Sequence, residues 1–351
     1  MSINPVEIPT GAVRFNTDSS KMEVYIGSTW MEVAVSSPNL GDSQSPAGTR
    51  GAFMGGFRDT PVTNTTFDTI DYITIPTAGN AIDFGDLNAK LFDGASNLAS
   101  RTRQFAMMGR QGPSFSYSNE IKFITYSSTG DSTDFGDSTS TLGYRPSGLS
   151  NATRAIRAGG SNNPQTGGVN VIDFFTMAAE GNAVDFGDLI TSKLKYGGAV
   201  SSPTRGVICW GNSHPTTINT IEFVTIATTG NAQDFGEMFE SGNVTASGSS
   251  STRGINAGGG ENGNSNTISF ITIATKGNAE NFGDLTQAIG NASGTSSQVR
   301  FIRAGGRTPS LTDVIDFVTI ASAGDATDFG DITQARRQLA AASDAHGGLT
   351  Q

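Results

Sequence analysis

The sequence predicts an all-β protein, a six-bladed β-propeller preceded by a small N-terminal β-meander. Three observations predict it. One phrase ending in Asp-Phe-Gly-Asp or a near variant occurs six times, at a period close to fifty residues. Each copy contains four short strand candidates, with apolar residues on both faces of the central ones. The composition also suits many short strands joined by tight turns: 45 glycines in 351 residues, and only 15% charged residues against about 25% in an average protein.

The phenylalanines of the repeated phrase are Phe84, Phe135, Phe186, Phe235, Phe282 and Phe329, spaced 51, 51, 49, 47 and 47 residues apart. Fourteen residues before each stands an isoleucine: Ile70, Ile121, Ile172, Ile221, Ile268 and Ile315. An aromatic follows two positions later and a threonine two beyond that. β-Branched and aromatic residues with apolar side chains on both faces predict a strand buried on both sides. Upstream, segments such as Arg154-Ala155-Ile156-Arg157-Ala158-Gly159-Gly160 form a second strand. Their small residues allow backbones to approach closely or turn sharply. An Ala/Ser-rich strand after each repeated phrase and the phrase itself complete the four. Six four-stranded units buried on both faces predict blades around an axis.

The ends of the repeat region test that prediction. The first unit begins at Arg50 without a good Ala/Ser-rich strand before it, and the C-terminus carries an orphan strand of that type, about Gln338–Asp344. Pairing the two hides two sheet edges that would otherwise invite aggregation. A seven-bladed arrangement, in which the last strand joins N-terminal strands, is the alternative. Residues 11–34 carry a different pattern, with three strand candidates separated by Thr17-Asp18-Ser19-Ser20 and Gly27-Ser28. Three strands this short are not stable alone, so residues 1–36 are expected to pack on the propeller, on copies of themselves or on another protein, leaving 37–351 as the propeller.

Totals narrow the function. A single cysteine, Cys209, excludes an intrachain disulfide and a cysteine-cluster metal site, and only two histidines are present. A net charge of −10 argues against nucleic acid, whose partners show a basic footprint. No apolar run reaches the roughly 18 residues of a membrane span, and the N-terminus lacks the regions of a signal peptide. No zinc-protease motif, nucleophile elbow or sialidase Asp-box is present, so a non-enzymatic protein without cofactor is expected. Asn and Asp at the repeated turn leave calcium as a secondary reading, against a structural one in which Phe packs between blades and Asp ties down the turn.

Two sets of residues are candidates for binding. Arg50, Arg103, Arg154, Arg205, Arg253 and Arg300 recur once per unit, either as an anion-binding ring or as bonds to a neighbouring blade. Strict repetition favours the structural role. The interval from that arginine to the repeat isoleucine instead varies, 20, 18, 18, 16, 15 and 15 residues. Variation therefore concentrates in the loops after the diglycine, where recognition is usually placed. In and beside those loops, Phe57, Arg58, Arg110, Phe115, Tyr117, Trp210 and His214 have the chemistry to bind glycans or protein surfaces.

The diglycine repeats resemble kelch repeats, although the Phe of the repeated phrase stands where a kelch tryptophan is typical. Gly11-Ala12-Val13-Arg14-Phe15-Asn16-Thr17-Asp18, with Lys21, Glu23, Tyr25, Gly27 and Trp30, resembles a module of bacteriophage tail fibres and other virion proteins. The repeats also resemble those of marine phage structural proteins. The resemblance implies a virion location, the chain being made in the host bacterial cytoplasm. It further implies a homo-oligomer and contacts with other virion proteins through Arg14, Phe15, Tyr25 and Trp30. A tail-fibre component contacting the host is the expectation. A capsid fibre or decoration protein and a polysaccharide-degrading enzyme are the alternatives.

Overall fold

A computed structural model describes residues 9–16, 21–26, 28–32, 49–59, 64–141, 143–161, 168–193, 198–213, 216–240, 246–259 and 264–349. All regular elements among them are β-strands, and every pairing is antiparallel. No helix among the described residues is long and apolar enough to cross a membrane. The chain divides into two compact units, Met1–Asp42 and Ser43–Gln351. The expected boundary at residues 36/37 lies outside the described residues.

The first unit is a three-stranded sheet of Val13–Asn16, Lys21–Ile26 and Thr29–Glu32 in sequence order. Alternation sorts its side chains. Arg14 lies opposite Glu23, and Tyr25 opposite Trp30. The other face carries Val13, Phe15, Ile26 and Met31, all at least half exposed.

The second unit holds six four-stranded sheets. In the first, the order is Ala340–Ser343, Arg50–Met54, Thr69–Thr74, Ile82–Asp86. The last strand of the chain thus completes the sheet of the first repeat, with Ala340 opposite Met54 and Ser343 opposite Gly51, and it does not join Val13–Glu32. The next four sheets span Leu91–Asp137, Ser147–Lys193, Gly198–Glu237 and Ala246–Ile289, and the sixth spans Ser293–Asp331. Each runs from its Ala/Ser/Gly-rich strand outward in sequence order. The second sheet departs from the rest, because its opening strand is only Leu91–Phe92 and two isolated bridges, Ala95 to Met107 and Ala99 to Gln104, continue it.

Each pair of consecutive sheets shares one buried apolar cluster. Phe84, Ile70 and Met54 of the first sheet pack with Ile124 and Tyr126 of the second. Similarly, Phe186 and Ile172 of the third meet Ile208 and Ile226 of the fourth. The sixth cluster joins Ile302, Ile315 and Phe329 to Phe53, Ile73 and Ile75 of the first sheet. In every sheet the repeat Phe stands edge-on to the aromatic two residues after the repeat Ile, as in Phe174–Phe186 at 5.7 Å and 84°, the geometry aromatic pairs prefer.

The glycine of the repeated phrase is explained by close approach. At Gly187 (φ 146°) a Cβ would lie 2.6 Å from the backbone of Gly230 in the next sheet. Gly330 meets Gly79 of the first sheet in the same way, at 2.5 Å. There the Gly79 N–H donates to the Phe329 carbonyl at 2.8 Å. The residue after that turn glycine ties the turn down: Asn231 Oδ1 accepts from Asp188 N at 3.1 Å, and Asn80 Oδ1 from Asp331 N at 3.1 Å. The tie therefore comes from an Asn or Asp of the adjacent sheet, while the aspartates of the phrase offer their backbone.

A second repeated contact lies on the opening strands. Ser201 Oγ donates to Ser150 O at 2.8 Å, Ser249 to Ser201 O at 2.8 Å, and Ser296 to Ser249 O at 2.9 Å. Ser343 of the first sheet donates to Ser296 O, and Ser150 to Asn97 O of the second sheet at 2.8 Å. The equivalent place in the second sheet is Ala99, which has no hydroxyl. Its carbonyl accepts from Ser150 Oγ at 3.0 Å, as the pattern requires, and also meets His346 Nε2 at 2.9 Å.

Candidate functional site

The six repeated arginines are engaged in structure. Arg205 Nη1 donates to Ile273 O at 2.8 Å and Ala274 O at 2.9 Å, both in the next sheet. Its guanidinium carbon lies 4.5 Å above the ring of Phe223 in its own sheet. Arg50, Arg103, Arg154 and Arg253 bond in the same way to Tyr126 O, Met177 O, Ile226 O and Ile320 O. Arg300 bonds to Ile75 O in the first sheet. Each guanidinium is thus held between a carbonyl and an aromatic face, which is the neighbour-bonding role that strict repetition favours.

Four of the five candidate recognition residues of the first two sheets, Phe57, Arg110, Phe115 and Tyr117, come together. Phe57 opens a two-stranded ribbon, Phe57–Asp59 with Asn64–Thr66, which leaves the first sheet after its diglycine. Phe115 stands in the turn between the long central strands of the second sheet. Phe57 and Phe92 stack at 4.9 Å and 22°, and Phe115 meets both edge-on, at 5.9 and 5.6 Å. Phe57 and Phe92 are buried and Phe115 is half-buried. The first two therefore support the surface, and Phe115 presents it. Phe115 holds a left-handed φ of 57°, uncommon for a bulky residue.

Arg110 sits beside these rings, its guanidinium carbon 4.4 Å from the Phe92 centroid and 4.8 Å from that of Tyr144. Its Nη2 pairs with Asp93 Oδ2 at 2.6 Å. Tyr117 lies opposite Arg110 in the strand pair, and burial raises its hydroxyl pKa against the opposing pull of Arg110. Arg58 turns to the ring of Phe67 at 5.1 Å and away from the Phe115 cluster. Trp210 lies in the strand Arg205–Ser213, but its side chain is outside the described residues, as is the whole of His214. In the N-terminal unit, Arg14 covers the Trp30 ring at 4.2 Å and bonds Glu23 at 2.8 Å, while Tyr25 contacts Trp30 at 5.3 Å.

Sequence reasoning missed Phe92, Asp93, Tyr144 and Arg337, which complete this cluster. Arg337 lies 5.2 Å over Phe57. None of the four sits in a diglycine loop, so loop-length variation carries no signal for them. It also missed three ion pairs with fully buried side chains: Arg157–Asp173 at 2.7 Å, Arg336–Asp71 at 2.9 Å, and Arg303–Asp316. For Arg157–Asp173 and Arg303–Asp316 the available signal was arginine and aspartate within otherwise apolar strands that pair. Arg336 lies before the last strand and carries no such signal. Among the described residues no group of three His, Cys, Asp or Glu is placed to hold a metal ion.

No protein-family model matches the chain, and no curated protein matches it.

Proposed function

We propose that this chain is a non-enzymatic bacteriophage virion protein, a tail-fibre or appendage component. In this reading the six sheets are the blades of a closed, kelch-like propeller whose loop end contacts the host surface. The N-terminal sheet attaches the chain to its assembly. Closure is supported by contacts that run from each sheet to the next and then from the sixth to the first: an apolar cluster, the Arg300–Ile75 bond and the Gly79–Phe329 bond.

The observation that carries the functional reading is the Phe115 surface. A half-buried aromatic in a left-handed turn, backed by Phe57 and Phe92 and flanked by Arg110 and Tyr117, supplies aromatic and cationic contacts on a rigid support. Such anchors dominate recognition surfaces. The exposed apolar face of Val13, Phe15, Ile26 and Met31 supports attachment, since a face of this kind on a small sheet marks an interaction site. Virion placement itself rests on the resemblance of residues 11–30 to phage modules.

Electron microscopy of particles carrying an antibody-labelled copy tests the proposal. Label on tail appendages supports it. Label confined to the capsid replaces it with the decoration reading, and absence of label from particles overturns both. Release of sugars from host-surface glycan by the purified chain overturns the non-enzymatic part.

A further inference from the structure

Six residues other than glycine hold left-handed backbone among the described residues, and five of them line one cavity. They are Asp93, Asn97, Arg145, Asn291 and Gln338, with φ between 50° and 65°. The cavity receives residues from all six sheets. Its free volume is about 70 Å³, widening to about 530 Å³ when the open mouth is included. Backbone in this region is unfavourable for a non-glycine residue, and such residues cluster where function requires them.

Hydrogen bonds between sheets hold four of the five. Gln338 N donates to Asn291 O at 3.0 Å, Asp93 N to Gln338 O at 3.2 Å, and Arg145 N to Asp93 O at 3.2 Å. Three of these residues, Arg145, Asn291 and Gln338, stand five positions before the belt serines Ser150, Ser296 and Ser343. Backbone and belt repeat there, but the side chains do not. A structural role yields the same residue in each repeat, as at the arginines and the serines. Different polar side chains at equivalent positions are what an asymmetric ligand requires.

The chemistry of that ring points to one ligand class. Asp93 is shared by Arg110 and Arg145, and Arg145 Nη1 also donates to Asn291 Oδ1 at 2.6 Å. Nearby, Asp59 is shared by Arg307 at 2.9 Å and Arg337 at 3.2 Å. Burial and then the Arg145 charge lower the Arg337 pKa, which brings the two pairs into one field. Of these charged groups only Asp93 and Arg145 line the cavity. The cluster they belong to sets four guanidinium groups against two carboxylates, a local positive excess on a chain of net charge −10. Gln338 is 7% exposed, and its Oε1 is buried without a hydrogen-bond partner. A buried acceptor left unpaired has lost its water without a replacement bond, which is destabilising. A ligand for this site therefore brings an anion to the guanidinium side and a donor to Gln338. Sulfate brings no donor and a neutral sugar brings no charge, while hydrogen phosphate carries its one donor on the same small group as its charge.

We propose that this cavity binds a polyhydroxylated carboxylate the size of one acidic sugar, its carboxylate toward Arg145 and a hydroxyl toward Gln338 Oε1. The proposal does not depend on where the protein resides.

Calorimetric titration of the full chain with D-glucuronate, D-glucose and inorganic phosphate tests it. Glucuronate is expected to bind saturably, with glucose and phosphate weaker by at least about tenfold. Arg145→Met is expected to abolish glucuronate binding and Gln338→Leu to weaken it by about fivefold or more. Circular dichroism confirms the fold of each variant. Because Gln338 Oε1 has no protein partner, Gln338→Leu is the variant that keeps the fold, and it decides the matter if Arg145→Met does not fold. Absence of saturable glucuronate binding, phosphate binding as tight as glucuronate, or unchanged affinity in a folded Gln338→Leu variant overturns the proposal.

Discussion

Arg300, in the sixth sheet, donates from Nη1 to the carbonyl oxygen of Ile75, in the first, at 3.0 Å. The same bond, arginine to a carbonyl of the following sheet, occurs at the other five repeats. It joins sheets through a side chain that also covers an aromatic ring, so each arginine contributes a charge-assisted bond and a cation–π contact.

Arg205→Met tests that contribution. It removes two carbonyl bonds and the contact over Phe223, for an expected loss of about 2–3 kcal/mol, measured by urea unfolding. Arg205→Lys should recover less than half, because an ammonium lacks the planar fork that reaches both carbonyls while lying on the ring. Full recovery by lysine would show that charge alone matters.

Deletion of residues 338–351 exposes the Arg50–Met54 edge and removes Ser343 from the serine belt. The truncated chain is expected to elute as aggregate on size exclusion and to lose its cooperative unfolding transition. A monodisperse product with an unchanged midpoint would show that the last strand is dispensable.

The Arg157–Asp173 pair is fully buried. Arg157→Met alone should cost about 3–5 kcal/mol by leaving the carboxylate unpaired, and Arg157→Met with Asp173→Leu should recover at least half of that. Recovery is incomplete because Asp173 also accepts from Ser138 at 2.9 Å and Thr139 at 2.6 Å. Chemical denaturation of the two variants checks the order.

Two groups at the C-terminus have opposing pH dependence. Burial raises the Asp344 pKa to about 7, against the lowering effect of its bond from Arg50 N and the charges of Arg50 and Arg101. Its folded pKa exceeds its unfolded value, so its stability contribution is full at low pH and is lost as pH rises from about 4 to about 7. Burial lowers the His346 pKa to about 4, partly offset by its bond to Ala99 O, with Arg101 lowering it further. Its contribution is full above about pH 6.5 and is lost as pH falls toward 4. The slopes oppose each other between about pH 4 and 6.5. Asp344→Asn should leave stability rising with pH across that window, and His346→Asn should leave it falling. Thermal melts at several pH values read the sign directly.

Much of the strand plan was legible in the sequence because strand signals are local. The repeat Ile, the aromatic two places on and the Asp-Phe-Gly phrase mark each outer pair of strands. The Ala/Ser-rich Ala340–Ser343 could be matched to the unit that lacked such a strand. The candidate surface was legible only in part. Phe115, Arg110 and Tyr117 announce themselves by loop position, whereas Phe92, Asp93 and Arg337 lie at segment ends that carry no periodic signal. Arg58 and Arg110 look equivalent in the sequence, yet one turns to Phe67 and the other to Asp93.

The amino-acid sequence by itself determined the repeated strands, apart from the opening strand Leu91–Phe92 of the second sheet and the ribbon Phe57–Asp59/Asn64–Thr66, and the pairing of the chain's end with its first repeat. These follow from side-chain alternation and from the need to cover strand edges. Only the tertiary structure decided which serines bond across sheets, which arginines are buried against aspartate, and which left-handed residues share a cavity. The serine and cavity contacts join residues about fifty or more positions apart, and their geometry exists only when whole sheets are packed together. The Arg157–Asp173 and Arg303–Asp316 pairs lie within one sheet, 16 and 13 positions apart, and packing decides their burial.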